Sequence, residues 1–481
     1  MTRPVMPNDY PAGGPDAPPP PPRALVEELT RRGVATDVTA RGRADHGRDW
    51  WPLTIRDVAR GIVPHWPGVV ARPASTEQVS AVLAVAHERG VAVTAQGGRS
   101  SVLGGAVAPD GAIALDLTGL DRILDIDDVS GLVRVEAGVF GPELERAVND
   151  RGFTVGHFPQ SFDISTVGGW LACRGAGQFS NRYGKIEDIV RGLTVVLASG
   201  EVVELGGRGP RQAVGPDLVQ LFVGSEGTLG VITAATLVLH RAPMAQSRAA
   251  YGFPSFAEGL DSCRRVFQRD ARPAVLRLYD EVESARNFQL DTCALVVLDE
   301  GERALVDATM GIVAEECRDA TVLDEAIVAH WLERRNDVSA LAPLWENGVC
   351  VDTIEVAGPW SVLEHMRSRV VAELKALPDT LLASVHQSHA YLDGACLYFT
   401  FAGRPEGDPT EYYRAAWDLA THCVLDAGGT LSHHHGVGRN RARYVEGALA
   451  SALPVLESLK ASLDPTGILN PGVLGIGGPA W

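Results

Sequence analysis

Three consecutive histidines, His433, His434 and His435, stand in the segment LSHHHGVGR near the end of the chain. A neutral imidazole, with an unperturbed pKa near ~6.5, can accept a proton at physiological pH. In an extended segment alternate side chains face opposite ways, so we expect His434 to point away from its two neighbours. A metal site would need ligands on one face and further donors, and no carboxylate partner is evident, so we expect no metal. A structural role, with the rings bonded to backbone carbonyls, stays open.

Three glycine-rich segments in the first half of the chain are the second chemical signal. They are AQGGRSSVLGG (residues 95–105), the segment 158–190 that contains STVGGW, and GSEGTLGVIT (residues 224–233). Adjacent glycines allow successive backbone N–H groups to point into one concavity, which suits a pyrophosphate. A single such turn is a weak signal, and the third segment lacks the lysine of a Walker loop. Three of them within roughly 140 residues together indicate one long dinucleotide.

The elements that must position these residues follow an α+β pattern. Residues 69–90 predict a strand, a cap at Ser75 or Thr76, and a helix with apolar residues at helical spacing. A second strand, VAVTAQ, leads directly into the first glycine-rich segment. Further strands and a helix at PELERAVNDRG follow, without the regular strand and helix repetition of a doubly wound sheet. We therefore expect a fold other than the Rossmann fold.

Size, charge and cysteine content narrow the protein class. At 481 residues the chain is too long for one ordinary core, so we expect more than one domain. A net charge of -17 repels polyanions and argues against nucleic acid as a partner. Seven scattered cysteines, none in a CxxC spacing, fit a reducing cytoplasm. We find neither the apolar core of a signal peptide nor a run of ~18 uncharged apolar residues that would predict a membrane span.

The three glycine-rich segments resemble the FAD-binding domain of the vanillyl-alcohol oxidase and p-cresol methylhydroxylase (PCMH) superfamily. The ending LDPTGILNPG resembles the FAD-linked oxidase C-terminal domain of that superfamily. Within it, GHFPQSFDISTVGGW, RYGKIEDIV and LSHHHGVG are most similar to the alkyldihydroxyacetonephosphate synthase family, and the likeness covers about residues 50–474. The resemblance implies an α+β fold: a PCMH-type two-subdomain FAD-binding domain, an inserted α+β cap domain for the substrate, and a C-terminal helical segment that returns to the flavin.

The domain boundaries that we expect combine this resemblance with changes in composition. They are a disordered proline-rich tail (1–22), an N-terminal helical segment (23–64), the PCMH-type FAD-binding domain (65–244), the cap domain (245–408) and the C-terminal segment of the FAD-linked oxidase domain (409–481).

The resemblance also implies which residues bind the cofactor. Members that tether the flavin covalently often use a histidine in the first loop, where this chain has Arg99, so we expect non-covalent FAD. The implied contacts fall into four stretches: Ala95, Gln96, Gly97, Gly98, Arg99, Ser100 and Ser101; Gln160, Ser161, Phe162, Asp163, Ile164, Ser165 and Thr166; Cys173, Arg174, Gly175 and Ala176; and Glu226, Gly227, Thr228, Leu229, Gly230, Val231 and Ile232.

For catalysis the resemblance implies that the three histidines line the active site and that His434 is the base. Tyr398 matches a family tyrosine that faces the same cavity, although tyrosines that alternate in a strand are commonly core residues. Arg277 matches a family arginine near the flavin and substrate, and Thr353 matches a family serine, so both are expected to bind substrate. The sequence departs from the family at Leu341, which stands where the family has a catalytic arginine.

Three functions remain open at this point. The synthase reaction removes a proton next to the carbonyl of an acyl-dihydroxyacetone phosphate and exchanges the acyl group for an alkoxy group through a bond to flavin N5. The alternative is an FAD-dependent dehydrogenase or oxidase of a 2-hydroxy acid or another alcohol, with hydride transfer to N5. A flavin-binding scaffold without turnover is the third. We expect a small-molecule or lipid-like substrate, a cytoplasmic location and a homodimer.

Overall fold

The protein is described by a computed structural model over residues 19–207, 209–338 and 342–477. Most of the proline-rich tail expected at 1–22, and also Leu341, lie outside these residues. Within them, three larger sheets and the helices around them form the α+β fold that the sequence predicts. No helix in these ranges is both long and apolar enough to cross a membrane.

The first sheet has four strands in the order β1-β2-β4-β3, of which β2, β4 and β3 run parallel. The structure confirms the strand and the helix predicted over residues 69–90. It also confirms the cap, because the Ser75 hydroxyl accepts a hydrogen bond from the Gln78 N–H at the helix start. The helix ends at Gly90, with a φ of +62°. The elements of this part are α1 (Arg23–Arg31), β1 (Ala35–Asp37), α2 (Ala40–His46), α3 (Pro52–Ala59), β2 (Val69–Arg72), α4 (Thr76–Arg89), β3 (Val93–Gln96) and β4 (Ile113–Asp116).

The second sheet is antiparallel, with five strands in the order β5-β6-β10-β8-β9, and a two-strand ladder of β7 and β11 accompanies it. A valine- and leucine-rich core packs beneath this sheet. Its elements are β5 (Ile123–Asp127), β6 (Leu132–Glu136), α5 (Gly141–Asn149), β7 (Phe153–Thr154), α6 (Val167–Cys173), α7 (Ser180–Tyr183), α8 (Ile186–Ile189), β8 (Val190–Val196), β9 (Val202–Gly206), α9 (Leu218–Phe222), β10 (Val231–Val238) and β11 (His240–Arg241).

The third sheet is antiparallel and has seven strands in the order β15-β12-β14-β13-β17-β18-β16. The largest apolar core of the protein packs on one of its faces. Its elements are β12 (Ala245–Phe253), α10 (Phe256–Gln268), β13 (Val275–Tyr279), α11 (Glu281–Phe288), β14 (Cys293–Gly301), α12 (Arg303–Glu316), β15 (Thr321–Leu323), α13 (Ala326–Arg334), α14 (Ala342–Glu346), β16 (Cys350–Pro359), α15 (Trp360–Ala376), β17 (Thr380–Ala390) and β18 (Gly394–Gly403).

The end of the chain returns to the first sheet. Ile468 accepts a hydrogen bond from the Val93 N–H at 2.8 Å, and the Asn470 N–H donates to the Val93 carbonyl at 2.8 Å. The Asn470 side-chain amide also donates to the Gly105 and Glu226 carbonyls, at 3.1 and 2.7 Å. The C-terminal residues therefore tie the first and third glycine-rich segments together. The helices of this part are α16 (Pro409–Asp426), α17 (Val445–Leu449) and α18 (Leu453–Leu463).

Candidate active site

A cavity of about 520 Å³ lies where the glycine-rich segments meet the seven-stranded sheet. This volume is within the ~300–1,000 Å³ typical of ligand and cofactor pockets. The glycine-rich segments form one wall, and the opposite wall includes Arg277, Thr353, Tyr398, His434 and His435. The structure thus brings together five of the residues that the sequence singled out for chemistry.

The first and second glycine-rich segments lie in close contact at Gly97 and Gly98. A Cβ atom on Gly97 would lie 2.1 Å from Thr166 Oγ1, and one on Gly98 would lie 1.8 Å from the Ile164 carbonyl oxygen. Any larger side chain at either position would force the two segments apart. The glycines are therefore required by the close approach of two loops that share one ligand cavity.

The tip of the first segment presents free backbone amides. The N–H groups of Gly98, Arg99 and Ser100 donate no hydrogen bond within the described part of the chain. Arg99 has a φ of +55°, and successive amides in such a turn form a concavity that binds anions. These groups fit the pyrophosphate of FAD. The Arg99 guanidinium donates to the Asp45 carbonyl, and no histidine stands here to tether the flavin, in agreement with non-covalent FAD.

Twenty of the predicted FAD contacts line the cavity. Of the others, Leu229 belongs to the core of the second sheet, and the Thr228 hydroxyl donates to the Ser225 carbonyl at 2.7 Å. Arg174 points to Glu187 instead, at 3.4 Å. Five of the predicted contacts do not line the cavity, namely Phe162, Asp163, Arg174, Thr228 and Leu229, and contact with the cofactor stays a prediction for all of the residues.

The opposite wall is a row of polar side chains that crosses four strands of the large sheet. Glu355 on β16 pairs with Tyr398 on β18, Tyr398 with His386 on β17, and His386 with Tyr279 on β13. Side chains alternate between the two faces of a strand, so the residues between them enter the apolar core. Those core neighbours are Leu278, Ile354, Val356, Val385, Leu397 and Phe399.

Glu355 holds the histidine segment, defined here as residues 432–438. Its carboxylate accepts hydrogen bonds from the backbone N–H groups of all three histidines, at 3.2 Å for His434 and 3.0 Å for His435. The fully buried Arg441 donates to the same carboxylate at 2.6 Å. Burial alone would raise the pKa of Glu355, but the charge of the adjacent Arg441 holds it well below its ordinary value. The anchor is therefore a buried carboxylate anion.

The expectation that His434 points away from its neighbours is wrong. His433 Nδ1 and His434 Nδ1 are 2.8 Å apart, and the ring centroids of His434 and His435 are 4.5 Å apart. The segment is bent rather than extended, because three successive N–H groups converge on one carboxylate, that of Glu355. His434 and His435 line the cavity, and His433 does not.

All three imidazoles are neutral at physiological pH. Burial lowers the pKa of His433 and of His434 to about 3 and that of His435 to about 4. A neutral imidazole keeps one nitrogen lone pair free to accept a proton. An anionic substrate in the cavity would raise these pKa values by favouring the protonated ring.

Further groups pack against His433 on its other side. The Tyr391 hydroxyl is 2.6 Å from His433 Nε2, which extends the hydrogen-bonded chain that leads to His434. His389 stacks on His433 with ring centroids 4.8 Å apart. Ring nitrogens of His389, His433 and His434 lie within 4.8 Å of one another, a spacing that could hold a metal ion. That the protein needs no metal stays a prediction.

Tyr398 connects the polar row to the histidine segment. Its hydroxyl is 3.2 Å from Thr353 Oγ1 and 3.4 Å from His435 Nε2. Burial raises the pKa of Tyr398, so the phenol stays protonated. The phenol can therefore donate a hydrogen bond to a substrate oxygen or to His435.

Arg277 is fixed by a buried histidine. It donates to His386 Nε2 at 2.7 Å, and His386 Nδ1 is 2.8 Å from a carboxylate oxygen of Glu283. A guanidinium can only donate, so the hydrogen of the neutral His386 ring lies on Nδ1 and is donated to Glu283. Burial lowers the pKa of His386, against the opposing charge of Glu283. The Glu283–His386 pair thus orients a cation toward the cavity.

Besides Arg99 of the first glycine-rich segment, four arginines line this cavity and supply positive charge, although Leu341 stands where the family resemblance implies an arginine. The Arg335 guanidinium lies 5.0 Å from the ring centroid of Phe179 and donates to the Gln178 side chain at 3.1 Å. The four are Arg277, Arg286, Arg334 and Arg335.

Sequence reasoning missed Glu355, Arg441, Glu283, His386 and Tyr391. The sequence did carry a signal for two of them. Glu355 in VDTIEVAG and His386 in SVHQSHA are polar residues within otherwise apolar strands. Arg441 had no local signal, since its partner Glu355 is 86 residues away.

Comparisons with known proteins agree with this geometry. Residues 67–206 match the family model "FAD binding domain", and residues 242–474 match "FAD linked oxidases, C-terminal domain". An alkyldihydroxyacetonephosphate synthase of Caenorhabditis elegans is 30% identical, over 92% of this chain and 82% of the relative. A mitochondrial D-lactate dehydrogenase (cytochrome) of Arabidopsis thaliana is 31% identical, over 85% and 73%. A solved alkyldihydroxyacetonephosphate synthase structure superposes with a TM-score of 0.79 at 26% identity, covering 95% of this chain and 87% of that one.

The fold and the cavity define an FAD-dependent enzyme, and the two-subdomain FAD-binding fold expected from the sequence is confirmed. The chain belongs to the FAD-linked oxidase family that includes the alkyldihydroxyacetonephosphate synthases.

Proposed function

We propose that the protein exchanges the acyl group of an acyl-dihydroxyacetone phosphate for an alkoxy group. The observation that carries the proposal is one cavity that joins the FAD-binding loops to neutral His434 and His435, the phenol of Tyr398 and Arg277. The similarity to a synthase over nine-tenths of the chain supports it. The exchange breaks the bond between C1 and the acyl oxygen, forms a bond between C1 and the alcohol oxygen, and leaves no net oxidation.

His434 is proposed as the base that takes the C1 proton. Its ring lies in the cavity, is neutral, and contacts His433 through the Nδ1 atoms. General acid–base catalysis of this kind contributes about 10²–10⁴-fold to a rate. His435 and Tyr398 are proposed to hold substrate oxygens, and Glu355 positions both histidines.

Arg277 is proposed to bind the substrate phosphate, with Arg335 as a second cation. An unpaired phosphate in a buried cavity would be strongly unfavourable, so the synthase reaction requires such charges. Thr353, which is hydrogen-bonded to Tyr398, is proposed to contact substrate as well. Bound FAD supplies an electrophilic N5 atom for the exchange, or a hydride acceptor for an oxidation.

The experiment incubates the holoenzyme with palmitoyl-dihydroxyacetone phosphate and labelled hexadecanol. We expect labelled ether lipid and free palmitate, with the flavin oxidised at the end. Arg277→Gln should lose roughly 10–100-fold in kcat/KM, the effect of one charge-assisted hydrogen bond. The matched control Arg248→Gln removes an exposed arginine from β12 and should leave kcat/KM unchanged. The absence of ether product from an active flavoprotein would refute the proposal.

Oxidation of a 2-hydroxy acid is the second candidate. The loss of the family arginine at Leu341 and the similarity to a dehydrogenase favour it. In that reaction a histidine takes the hydroxyl proton while hydride leaves the adjacent carbon. Flavin bleaching under nitrogen by glycolate or D-lactate, without ether formation, would select this reaction.

The cellular compartment and the oligomeric state of the enzyme are also proposals. All seven cysteines are free thiols, which supports a reducing compartment such as the cytoplasm. A homodimer stays a prediction, and light scattering of the purified holoenzyme tests it.

A further inference from the structure

A second cavity, of about 150 Å³, lies beside the active site between α3, the start of α16 and the residues that follow the histidine segment. We call it the arginine cavity. Four arginines line it, Arg56, Arg414, Arg439 and Arg443, against one carboxylate, Asp57. With Asp418, which pairs with Arg443, the arginine cavity still carries two more positive than negative charges in a protein whose net charge is -17.

Two buried donors in its wall have no acceptor. Among the residues that the structure describes, no acceptor pairs with the side-chain amide nitrogen of Asn440 or with Nη2 of Arg443, and Asn440 is only 2% exposed. The other groups of Arg443 are used, because Nε donates to Asp418 at 3.0 Å and Nη1 to the Asn440 carbonyl at 2.9 Å. Buried donors in folded proteins nearly always have a partner, so two such groups in one small cavity indicate a missing acceptor.

The charges of the cavity are only partly compensated. Arg56 is paired with Asp57 at 2.6 Å and also donates to the Thr410 hydroxyl. Arg414, exposed at the mouth, has no ion-pair partner in the described ranges. A guanidinium at the mouth and two donors inside form the arrangement that binds a phosphate oxyanion, which accepts several hydrogen bonds at once.

We propose that the arginine cavity binds the phosphate group of inorganic phosphate or of a small phosphate monoester. Its volume of about 150 Å³ admits a phosphate group. The excess of positive charge favours a dianion over a monocarboxylate. This site is separate from the cavity in which Arg277 lies and does not depend on the proposed synthase reaction.

Phosphate binding in the arginine cavity would also stabilise the first glycine-rich segment. The backbone N–H groups of Arg439 and Asn440 donate to the Leu103 carbonyl at 2.8 and 3.1 Å. Trp51, in the wall of the cavity, lies so close to Gly104 that a Cβ there would be 2.8 Å from its ring. Phosphate should therefore raise the temperature at which the holoenzyme releases FAD.

The test titrates the holoenzyme with inorganic phosphate by calorimetry at constant ionic strength, with chloride as the reference salt. We expect saturable binding of one phosphate per chain. Arg414→Gln should weaken it about tenfold or more, because one charge-assisted contact is lost. Arg369→Gln removes a half-buried arginine of α15 that pairs with Asp426 outside the cavity, and this variant should bind as wild type does. A parallel titration with glycerol 3-phosphate shows whether the free anion or a monoester binds more tightly.

Two results would overturn the proposal. One is the absence of saturable phosphate binding to wild type. The other is unchanged binding in a folded Arg414→Gln variant, with loss in Arg277→Gln, which would place the phosphate in the active-site cavity. Flavin absorbance and circular dichroism of each variant establish that it is folded.

Discussion

Replacing Glu355 by glutamine should strongly destabilise the protein, although the two side chains have nearly the same shape. One oxygen of Glu355 accepts from the N–H groups of His433 and His434, and the other from His435 and Arg441. In either amide orientation, the NH₂ group of glutamine faces at least two hydrogen-bond donors. The charge of the fully buried Arg441 is also left unpaired. Removing one partner of a buried ion pair costs about 3–5 kcal/mol.

The assay is thermal unfolding of the holoenzyme, followed by circular dichroism and flavin fluorescence. A loss of this size should lower the unfolding midpoint by roughly 3–5 °C, because an unfolding entropy of ~2.1 cal/mol/K per residue amounts to about 1 kcal/mol/K for 481 residues. Glu373→Gln is the matched control, because Glu373 is exposed on α15 and such changes usually stay within about 0.5 kcal/mol. If Glu355→Gln unfolds at the same temperature as Glu373→Gln, the carboxylate does not anchor the histidine segment.

Three further predictions concern the histidines. The folded-state pKa of His434, about 3, lies below the unfolded value near ~6.5, so the unfolded chain binds more protons between these values. As the pH falls from 6.5 to 4, the free energy of unfolding measured with urea should decrease by up to about 1.4 kcal/mol per pH unit more for wild type than for His434→Gln. Parallel slopes for the two proteins would contradict this. Tyr391→Phe removes the hydrogen bond to His433, and should retain FAD but lower kcat and shift its pH profile; an unchanged profile would exclude a link from Tyr391 to the base. Dialysis against EDTA should leave activity unchanged, whereas activity that is lost and then restored by Zn²⁺ would show a metal at His389 and its neighbours.

Short-range sequence patterns predicted the elements that depend on interactions between neighbouring residues, such as helix caps and the apolar face of a helix. The Ser75 cap, the apolar spacing of α4 and the following strand predicted the path of the chain into the first glycine-rich segment. That two glycine-rich segments touch through Gly97 and Gly98 could be inferred only from the family resemblance, because this contact joins residues about 70 positions apart.

The candidate site was predicted less completely than the fold. The three histidines were expected to alternate as in a strand, but the carboxylate of Glu355, nearly 80 residues earlier, bends them into one cluster. Arg441 and Glu283 were missed for the same reason: a buried charge looks like any surface charge until its partner is known. The cations around the cavity likewise come from separate elements: β13, α11, and α13 with the residue after it.

The most direct test of the account is turnover per bound FAD in His434→Gln. We propose that the glycine-rich segments hold FAD and that the histidine segment moves the proton. We therefore predict one FAD per chain in the variant, with turnover lower by about 10²–10⁴-fold. Full turnover would remove His434 from the reaction, and a folded variant without FAD would show that this histidine holds the cofactor.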